Sequence, residues 1–319
     1  MPAPLAVFRA LADPTRLRIV ALLRQMELSV GELAQVLGQS QPRVSRHVKI
    51  LADADLCDRR REGSWIFLGL GAAARSGPLL ATVDALRDAA TDRWTTADAA
   101  RLEAVRADRM AAAEAFFNAR AAEWDAIRSL HVAESEVETA IRAILGSVPL
   151  GRLVDVGTGT GRMIELLGDR AETVIGIDRS PEMLRLARAK IADRGLATAE
   201  LRQGDMYALP LADGGTDTVL LHQVLHYAQA PAAAIAEASR LLNVDGRLLI
   251  VDFAAHEHEE LRERDAHVRL GFDDAQISGW FGAAGLETVA VDTLDGGALT
   301  VKLWLGRRTA AIRHLKAVA

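Results

Sequence analysis

The stretch Leu153–Asp178, LVDVGTGTGRMIELLGDRAETVIGID, sets three glycines at alternate positions between two apolar runs. Leu153-Val154-Asp155-Val156 reads as a short buried strand. Gly157, Gly159 and Gly161 follow, then a helical stretch with Met163, Ile164, Leu166 and Leu167. A second strand, Thr173–Ile177, ends in Asp178. Strand, Gly-rich turn, helix, strand and acid together make half of a nucleotide-binding βαβ unit. Glycine lets the backbone turn tightly and lets a ligand lie against it with no Cβ in the way. A carboxylate at the tip of the second strand can accept hydrogen bonds from ribose hydroxyls.

The spacing separates nucleotide classes. A dinucleotide fingerprint, G-x-G-x-x-G, needs a third glycine at position 162, which is Arg162. The pattern present is D-x-G-x-G-x-G, opened by Asp155. On spacing alone, a turn that binds some other nucleotide, or nothing, competes with a functional loop. The chain beyond it adds a strand Ala199–Arg202 running into Gly204-Asp205-Met206, and a strand Asp217–Leu221. A helix then runs from Pro231 to Leu242, Asp245-Gly246 turns, and a strand follows over Arg247–Phe253. A helix over Asp274–Ala284 precedes strands Glu287–Leu294 and Ala298–Leu305, with Asp295-Gly296-Gly297 as a hairpin turn between them. Alternating strands and helices with a final hairpin predict an α/β doubly wound, Rossmann-like sheet whose last strand is antiparallel. Its ligand belongs at the carboxyl ends of the strands.

These motifs resemble the class I S-adenosylmethionine (SAM)-dependent methyltransferases at three points, 155–161, 178 and 205–206. The resemblance implies that Gly157, Gly159 and Gly161 cradle the methionine part of SAM, or of its product S-adenosylhomocysteine (SAH). It implies that Asp155 helps hold the amino group, that Asp178 binds the ribose, and that Asp205 and the backbone of Met206 meet the adenine.

The 319 residues suffice for about two domains, and 50% hydrophobic content excludes a mainly disordered chain. No apolar run approaches the roughly 20 residues a bilayer span needs, so no membrane association is expected. The N-terminus has no apolar signal-peptide core, and a single cysteine, Cys57, cannot form an internal disulfide. A cytoplasmic location is the expectation. The charge is uneven. Residues 1–75 hold 11 Lys and Arg against 7 Asp and Glu, a balance of +4, and the rest holds 27 against 36, a balance of −9. A basic head on an acidic body suggests that only the head meets a polyanion.

Asp13-Pro14 opens a helix, PTRLRIVALLRQ. Ser29 and Glu32 form a capping box for VGELAQVLG, ended by Gly38, and Ser40 caps QPRVSRHVKILADAD. In that third helix Val44, Val48, Leu51 and Ala52 share one face, while Arg46 points away and Arg43 and Lys49 flank it. An apolar underside with a basic outer face suits a recognition helix in a major groove. Arg can read guanine edges, and Ser40, Gln41 and Ser45 can reach phosphates or bases. Leu56–Arg61 and Ser64–Leu68 read as a β-hairpin, whose Arg59, Arg60 and Arg61 can track flanking phosphates. The segment is a winged helix-turn-helix, mainly α with a β-wing.

LADPTRLRIVALL, VGELAQVLGQSQPRVSRHVKILADADL and RREGSWIFLGL resemble the ArsR/SmtB transcriptional repressors. That resemblance implies a homodimer on a palindromic, double-stranded operator. Metal-sensing members carry Val-Cys at the start of the short helix, where this chain has Val30-Gly31-Glu32. Cys57 lies on the wing, where it reads as filling an apolar slot. No metal site is expected there.

Ser76-Gly77-Pro78 marks a boundary, after which Leu79–Arg87 occupies the place where related repressors dimerise. Residues 96–122, rich in Ala, Arg and Glu, read as a long, largely exposed linking helix. FFNARAAEWD (116–125) resembles a methyltransferase lid, making Arg120, Trp124 and His131 candidates for the ligand site or for plain packing. The expected plan is a winged-helix domain at 1–75, a helical dimerisation and connector segment at 76–115, and a methyltransferase-like domain at 116–319.

His222, His226 and Tyr227 follow the fourth strand, and His226 or Tyr227 is the candidate base should the acceptor have to lose a proton. A packed or solvated histidine is the plainer alternative. DNA amino-methyltransferases carry Asn/Asp-Pro-Pro-aromatic where this chain has His222-Gln223-Val224-Leu225, which disfavours DNA methylation, and a lone cysteine excludes a thiol-relay arsenite methyltransferase. HEHEELRERD (256–265) is not H-E-x-x-H, and reads as a solvated helix start on which His256 and His258 diverge. The expectation is a DNA-binding regulator responsive to SAM or SAH, with an active small-molecule methyltransferase under an autoregulatory head as the alternative.

Overall fold

The computed structural model describes residues 4–62, 65–71, 96–108, 133–196, 199–295 and 298–309. The chain divides into two compact units, 1–112 and 113–319.

The first unit runs α1 (Pro4–Leu11), α2 (Pro14–Leu23), β1 (Leu28–Ser29), α3 (Val30–Leu37), α4 (Gln41–Asp53), β2 (Cys57–Glu62), β3 (Trp65–Leu70) and a helix α5 over 96–108. Asp13 caps α2, its carboxylate accepting the N–H groups of Thr15 and Arg16. The capping box of α3 is formed in both directions. Ser29 Oγ accepts the Glu32 N–H, and the Glu32 carboxylate accepts the Ser29 N–H at 2.8 Å. Gly38 ends α3 in the left-handed region, φ 64°. Ser40 differs from expectation. It stands at the N-cap of α4, but its side chain makes no capping bond. The wing strands pair antiparallel from Cys57↔Leu70 to Glu62↔Trp65. A third strand, β1, pairs with β3 through Leu28↔Leu68, and at two residues it is too short to leave a period in sequence. Ile19, Leu28, Leu33, Val44, Leu51 and Leu68 form the core. Ala52, expected on the buried face of α4, is half-buried.

Helix α5 is not the free linker its composition suggested. Leu102 is fully buried and Val105 is 4% exposed, both inside the winged-helix core. Asp98, one turn before Leu102, takes both Nε and Nη2 of Arg18 at 2.6 Å, a forked pair that is largely buried. Arg101 donates to the Val36 carbonyl at the end of α3. Positions 98, 102 and 105 form one stripe, and two large apolar residues in an Ala/Arg/Glu background are too few to stand out in sequence. The expected cut at 75 therefore separates from the winged-helix domain a helix that packs into its core. Most of the connector (72–95 and 109–132) lies outside the described residues, as do Leu79–Arg87 and the lid candidates Arg120, Trp124 and His131.

The second unit runs α6 (Glu134–Leu145), β4 (Arg152–Val156), α7 (Arg162–Leu167), β5 (Thr173–Asp178), α8 (Pro181–Arg194), β6 (Ala199–Gln203) and β7 (Thr216–His222). It continues through α9 (Pro231–Leu241), β8 (Leu242–Phe253), α10 (Glu260–Arg264), α11 (Asp274–Ala283), β9 (Leu286–Leu294) and β10 (Val301–Arg308). Among the described residues these strands form one sheet ordered β6-β5-β4-β7-β8-β10-β9. The block β6 to β8 is parallel, and β10 runs antiparallel to both β8 and β9. Side chains alternate between faces. Leu153, Leu220, Leu249 and Val251 pack with α6, α7 and Ile191 of α8. Val154, Val156, Val219, Leu221, Leu248 and Ile250 pack with α9 and α11. Burial on both faces explains why these strands read as unbroken apolar runs. Trp304 is fully buried, its indole N–H on Asp274 at 2.8 Å.

Two turns differ from expectation. Asp245-Gly246 does not separate helix from strand. β8 runs through it, with Asp245 at φ 65° and a register shift against β7 between Thr216 and Thr218, so the turn is a bulge. The final hairpin closes at Leu294↔Val301, so its loop spans 295–300 instead of the expected three residues.

Leu102→Ala should lower the unfolding free energy of the first unit by about 2–5 kcal/mol. Urea melts of the full chain followed by a probe in that unit will measure it, and a loss under 1 kcal/mol would mean α5 is not part of the core.

Candidate functional site

The sheet order brings the three acids read from sequence to one edge. Asp155 precedes the last residue of β4, Asp178 ends β5, and Asp205 lies two residues past β6. These strands are parallel neighbours, tied at their carboxyl ends by Gly157 N–H to Ile177 O (2.7 Å), Thr158 N–H to Ile177 O (3.0 Å) and Gly204 N–H to Asp178 O (3.0 Å).

Gly157, Gly159 and Gly161 have φ of 73°, 53° and 83°, a region costly for any residue with a Cβ. At Gly157 space is short as well, since a Cβ there would stand 2.4 Å from Val224 Cγ2. Asp178 pins the loop. Its Oδ2 accepts the Gly159 N–H and its Oδ1 the Ser180 N–H, each at 2.8 Å. Burial pushes its carboxyl above the usual carboxylate range, against the pull of the Ser180, Gly159 and Arg179 N–H groups. Asp155 is deeper, 1% exposed, and receives the Thr158 hydroxyl at 2.6 Å, so it braces the loop from below. Arg162, in place of a third dinucleotide glycine, docks α6 by pairing with Glu138 at 2.6 Å and Glu134 at 3.4 Å. Asp205 Oδ1 accepts the Tyr207 N–H at 3.0 Å, and Asp205 and Met206 are half-buried. Tyr207 Oη accepts the Gln229 and Ala230 N–H groups, joining this turn to the segment before α9.

Beyond β7, Gln223 adopts φ 49°, and a short 3-10 turn carries His226 and Tyr227. His226 is 2% exposed. Its Nδ1 lies 2.7 Å from Oδ1 of Asp252, a fully buried residue of β8 that sequence reading passed over. The overlooked signal was an acid inside the apolar run LLIVDF, near a strand's carboxyl end. Tyr227 is half-buried beside the His226 ring, and His222 is buried at the end of β7. His256 and His258 are not on a helix, which begins only at Glu260, and their ring centroids are 5.5 Å apart. His256 packs near Phe253 and His267, so this stretch is not simply a solvated helix start. Among the described residues, no group of three or more His, Cys, Asp or Glu side chains is placed to hold a metal.

In the first unit Ser40, Gln41, Arg43, Ser45, Arg46 and Lys49 are all exposed, opposite buried Val44, Val48 and Leu51. Arg59 is exposed on β2, where Arg60 and Arg61 take the next two positions. Cys57 is 3% exposed, and burial foremost pushes its thiol up to about 12, so it stays protonated at neutral pH.

Residues 13–58 match the family described as bacterial regulatory protein, arsR family, and residues 154–250 match the methyltransferase domain family. The chain joins an arsR-family domain to a methyltransferase domain. The arsR-family domain is 45% identical over 64 residues to the arsenical resistance operon repressor of Escherichia coli, covering 20% of this chain and 55% of that protein. The methyltransferase domain is 29% identical over 126 residues to the uncharacterized methyltransferase YcgJ of Bacillus subtilis, covering 40% of this chain and 50% of that one. The chain thus spans about half the length of these curated relatives. A chain from the Haloferax volcanii complex of the Trm112 methyltransferase activator with a methyltransferase superposes with a TM-score of 0.52. It is 23% identical and covers 61% of this chain and 98% of its own, so it shares the Rossmann-like methyltransferase fold. Among the described residues no helix is long and apolar enough to cross a membrane.

In the methyltransferase domain, Gly157→Ala should cost about 1–3 kcal/mol through backbone strain and the Val224 clash. In a double-mutant cycle measured by urea melts, adding Val224→Ala should recover the clash share alone. Strict additivity would mean that the two residues do not touch.

Proposed function

We propose that this protein is a DNA-binding transcriptional regulator whose methyltransferase domain binds SAM or SAH, and that occupancy of that domain sets its affinity for an operator. The observation that carries the reading is the convergence of the glycine loop, Asp178 and Asp205 on one sheet edge, in a chain that also exposes a basic helix face. The loop suits an adenosyl ligand because glycines at 157, 159 and 161 hold it in left-handed backbone with no Cβ at those three positions, while Val224 packs where a Cβ of residue 157 would stand. The Asp178 carboxylate takes the Gly159 N–H on Oδ2 and the Ser180 N–H on Oδ1, with the Arg179 N–H drawn to it as well, and as an acceptor at the tip of β5 it can also receive ribose hydroxyls. Asp205 and the Met206 backbone receive the adenine, Gly157, Gly159 and Gly161 pass the methionine part, and Asp155 orders the loop beneath it through Thr158. Bound SAM supplies a methyl group on a positively charged sulfur.

On the DNA side, Arg43, Arg46 and Lys49, with Ser40, Gln41 and Ser45, face the major groove, and Arg59, Arg60 and Arg61 follow the flanking phosphates. The protein acts as a homodimer on a palindromic site in the cytoplasm. A response to arsenicals like that named for the Escherichia coli repressor is not part of the reading, because Cys57 is buried and protonated and α3 opens with Val30-Gly31-Glu32. A second reading, turnover of a small acceptor, is favoured by the buried pairing of His226 with Asp252.

Titration of an operator selected from random duplexes, with SAM, with SAH and with neither, should show a 5- to 150-fold shift, the usual coupling of about 1–3 kcal/mol; identical curves would remove the sensor reading. Calorimetry should find SAM or SAH binding weakened about tenfold or more by Asp178→Asn, the scale of a hydrogen bond to a charged group. Unchanged affinity would remove the ribose assignment. Arg46→Ala should cost about 1–3 kcal/mol on the selected operator and relax its specificity; specificity that persists would mean a different face reads the bases.

A further inference from the structure

We propose that Asp252 and His226 form a proton-accepting dyad in the methyltransferase domain and that its acceptor is a phenolic hydroxyl. The proposal rests on the methyltransferase reading above and adds the positioning residue and the acceptor class.

The Asp252 carboxylate receives three backbone N–H groups. Oδ2 accepts from Leu225 at 3.0 Å and His226 at 3.2 Å, and Oδ1 accepts from Phe253 at 2.8 Å. Both oxygens thus already serve as acceptors of N–H groups. An Nδ1 facing an accepting carboxylate oxygen at 2.7 Å is placed to donate, and in the neutral imidazole the lone pair then lies on Nε2. Nε2 is buried and makes no hydrogen bond among the described residues. A buried imidazole nitrogen held as an acceptor, with no acceptance to make, is a strained arrangement for structure alone. It is the arrangement a general base needs.

The location agrees. His226 lies four residues past β7, and Val224, two residues before it, closes on Gly157 of the loop. The backbone carbonyl of His226 accepts the N–H groups of Val268 and Arg269, which sets the turn from its other side. The groups packed on the His226 ring are Tyr227 at 4.0 Å, His267 at 4.3 Å and Phe253 at 5.0 Å between centroids, with Asp252 the only charge paired to it among the described residues.

Acid strength selects the acceptor. An amine attacks through its own lone pair and sheds its proton afterwards. A thiol near 8.5 is already partly ionised at neutral pH, while a phenol near 10 is ionised to only about one part in a thousand. An aliphatic alcohol is a far weaker acid, close to water, and yields its proton to an imidazole far less readily than a phenol does. The dyad is therefore matched to a phenol. In the step, the phenol O–H bond breaks, its proton moves to Nε2 and its electron pair stays on oxygen. Asp252 keeps its charge beside the imidazolium, which later returns the proton to water.

Two measurements on the full chain test this. Nitrogen-15 NMR without SAM, with the His226 signals assigned by their loss in His226→Gln, should show Nδ1 protonated and Nε2 bare. Asp252→Asn should shift that balance toward Nε2–H. SAH release should then be compared for phenol and for 4-nitrophenol, which is largely ionised by itself. His226→Gln should slow phenol by about 10²–10⁴-fold and 4-nitrophenol far less, while leaving SAM affinity by calorimetry unchanged. Nε2 protonated in the wild type, equal losses on both phenols, or no methylation of either while SAM binds would each overturn the proposal. No SAM binding would bring down the methyltransferase reading itself, with the NMR result still reporting on the dyad.

Discussion

The carboxylate of Asp178 holds three pieces of chain at one point. It ends β5, it accepts the Gly159 N–H from the loop after β4, and it accepts the Ser180 N–H that starts the turn into α8. Because β5 lies between β4 and β6 in the sheet, a group fixed there is next to both neighbouring strand ends. The same atoms that would meet a ribose thus also shape the loop that would meet the rest of the ligand. Burial raises the proton affinity of this carboxyl, and the converging N–H groups oppose that rise. A carboxylate in such balance is preorganised before any ligand arrives, which lowers the ordering cost of binding.

Asp252 repeats the device three strands along. Like Asp178 it sits at a carboxyl end and gathers backbone N–H groups, but here the fourth donor is a side chain, the His226 imidazole. Breaking a buried carboxylate's contacts leaves an uncompensated charge, so such groups constrain geometry more than they add stability. Tyr207 plays a milder version of the role, its oxygen collecting two N–H groups and joining the Asp205 turn to the segment before α9. The parallel strands supply rigid ends, and these polar atoms set how the loops leave them.

The first unit relies on an apolar core of α2, α3, α4 and the three-strand sheet, with α5 laid along it. Arg18 is the joint. Its guanidinium forks onto Asp98 and also reaches the Leu37 carbonyl at the end of α3. Glu32 Oε2 accepts both the N–H and the hydroxyl of Ser29 in its own capping box. The charges of α4 stand outside this network, free of the demands of packing.

Local pattern was enough for much of this. The apolar runs of the strands, the left-handed glycines, the Ser29–Glu32 box and the one-sided burial of α4 all follow from neighbours within a few residues, and the sequence displays them directly. The acids at 155, 178 and 205 were legible because each sits beside a glycine turn or at a strand end. Other features came from distant partners. Asp252 drew no notice inside an apolar run because His226, 26 residues away in sequence, faces it only after β7 and β8 pair. Helix α5 read as an exposed linker because Arg18 and the core that receive Asp98 and Leu102 lie some 80 residues earlier. The sequence by itself determined the strands of the large sheet, the helices with one apolar face and the glycine turns between them. Only the tertiary structure decided which polar groups meet across those segments, since a hydrogen bond depends on separation in space and leaves no period along the chain.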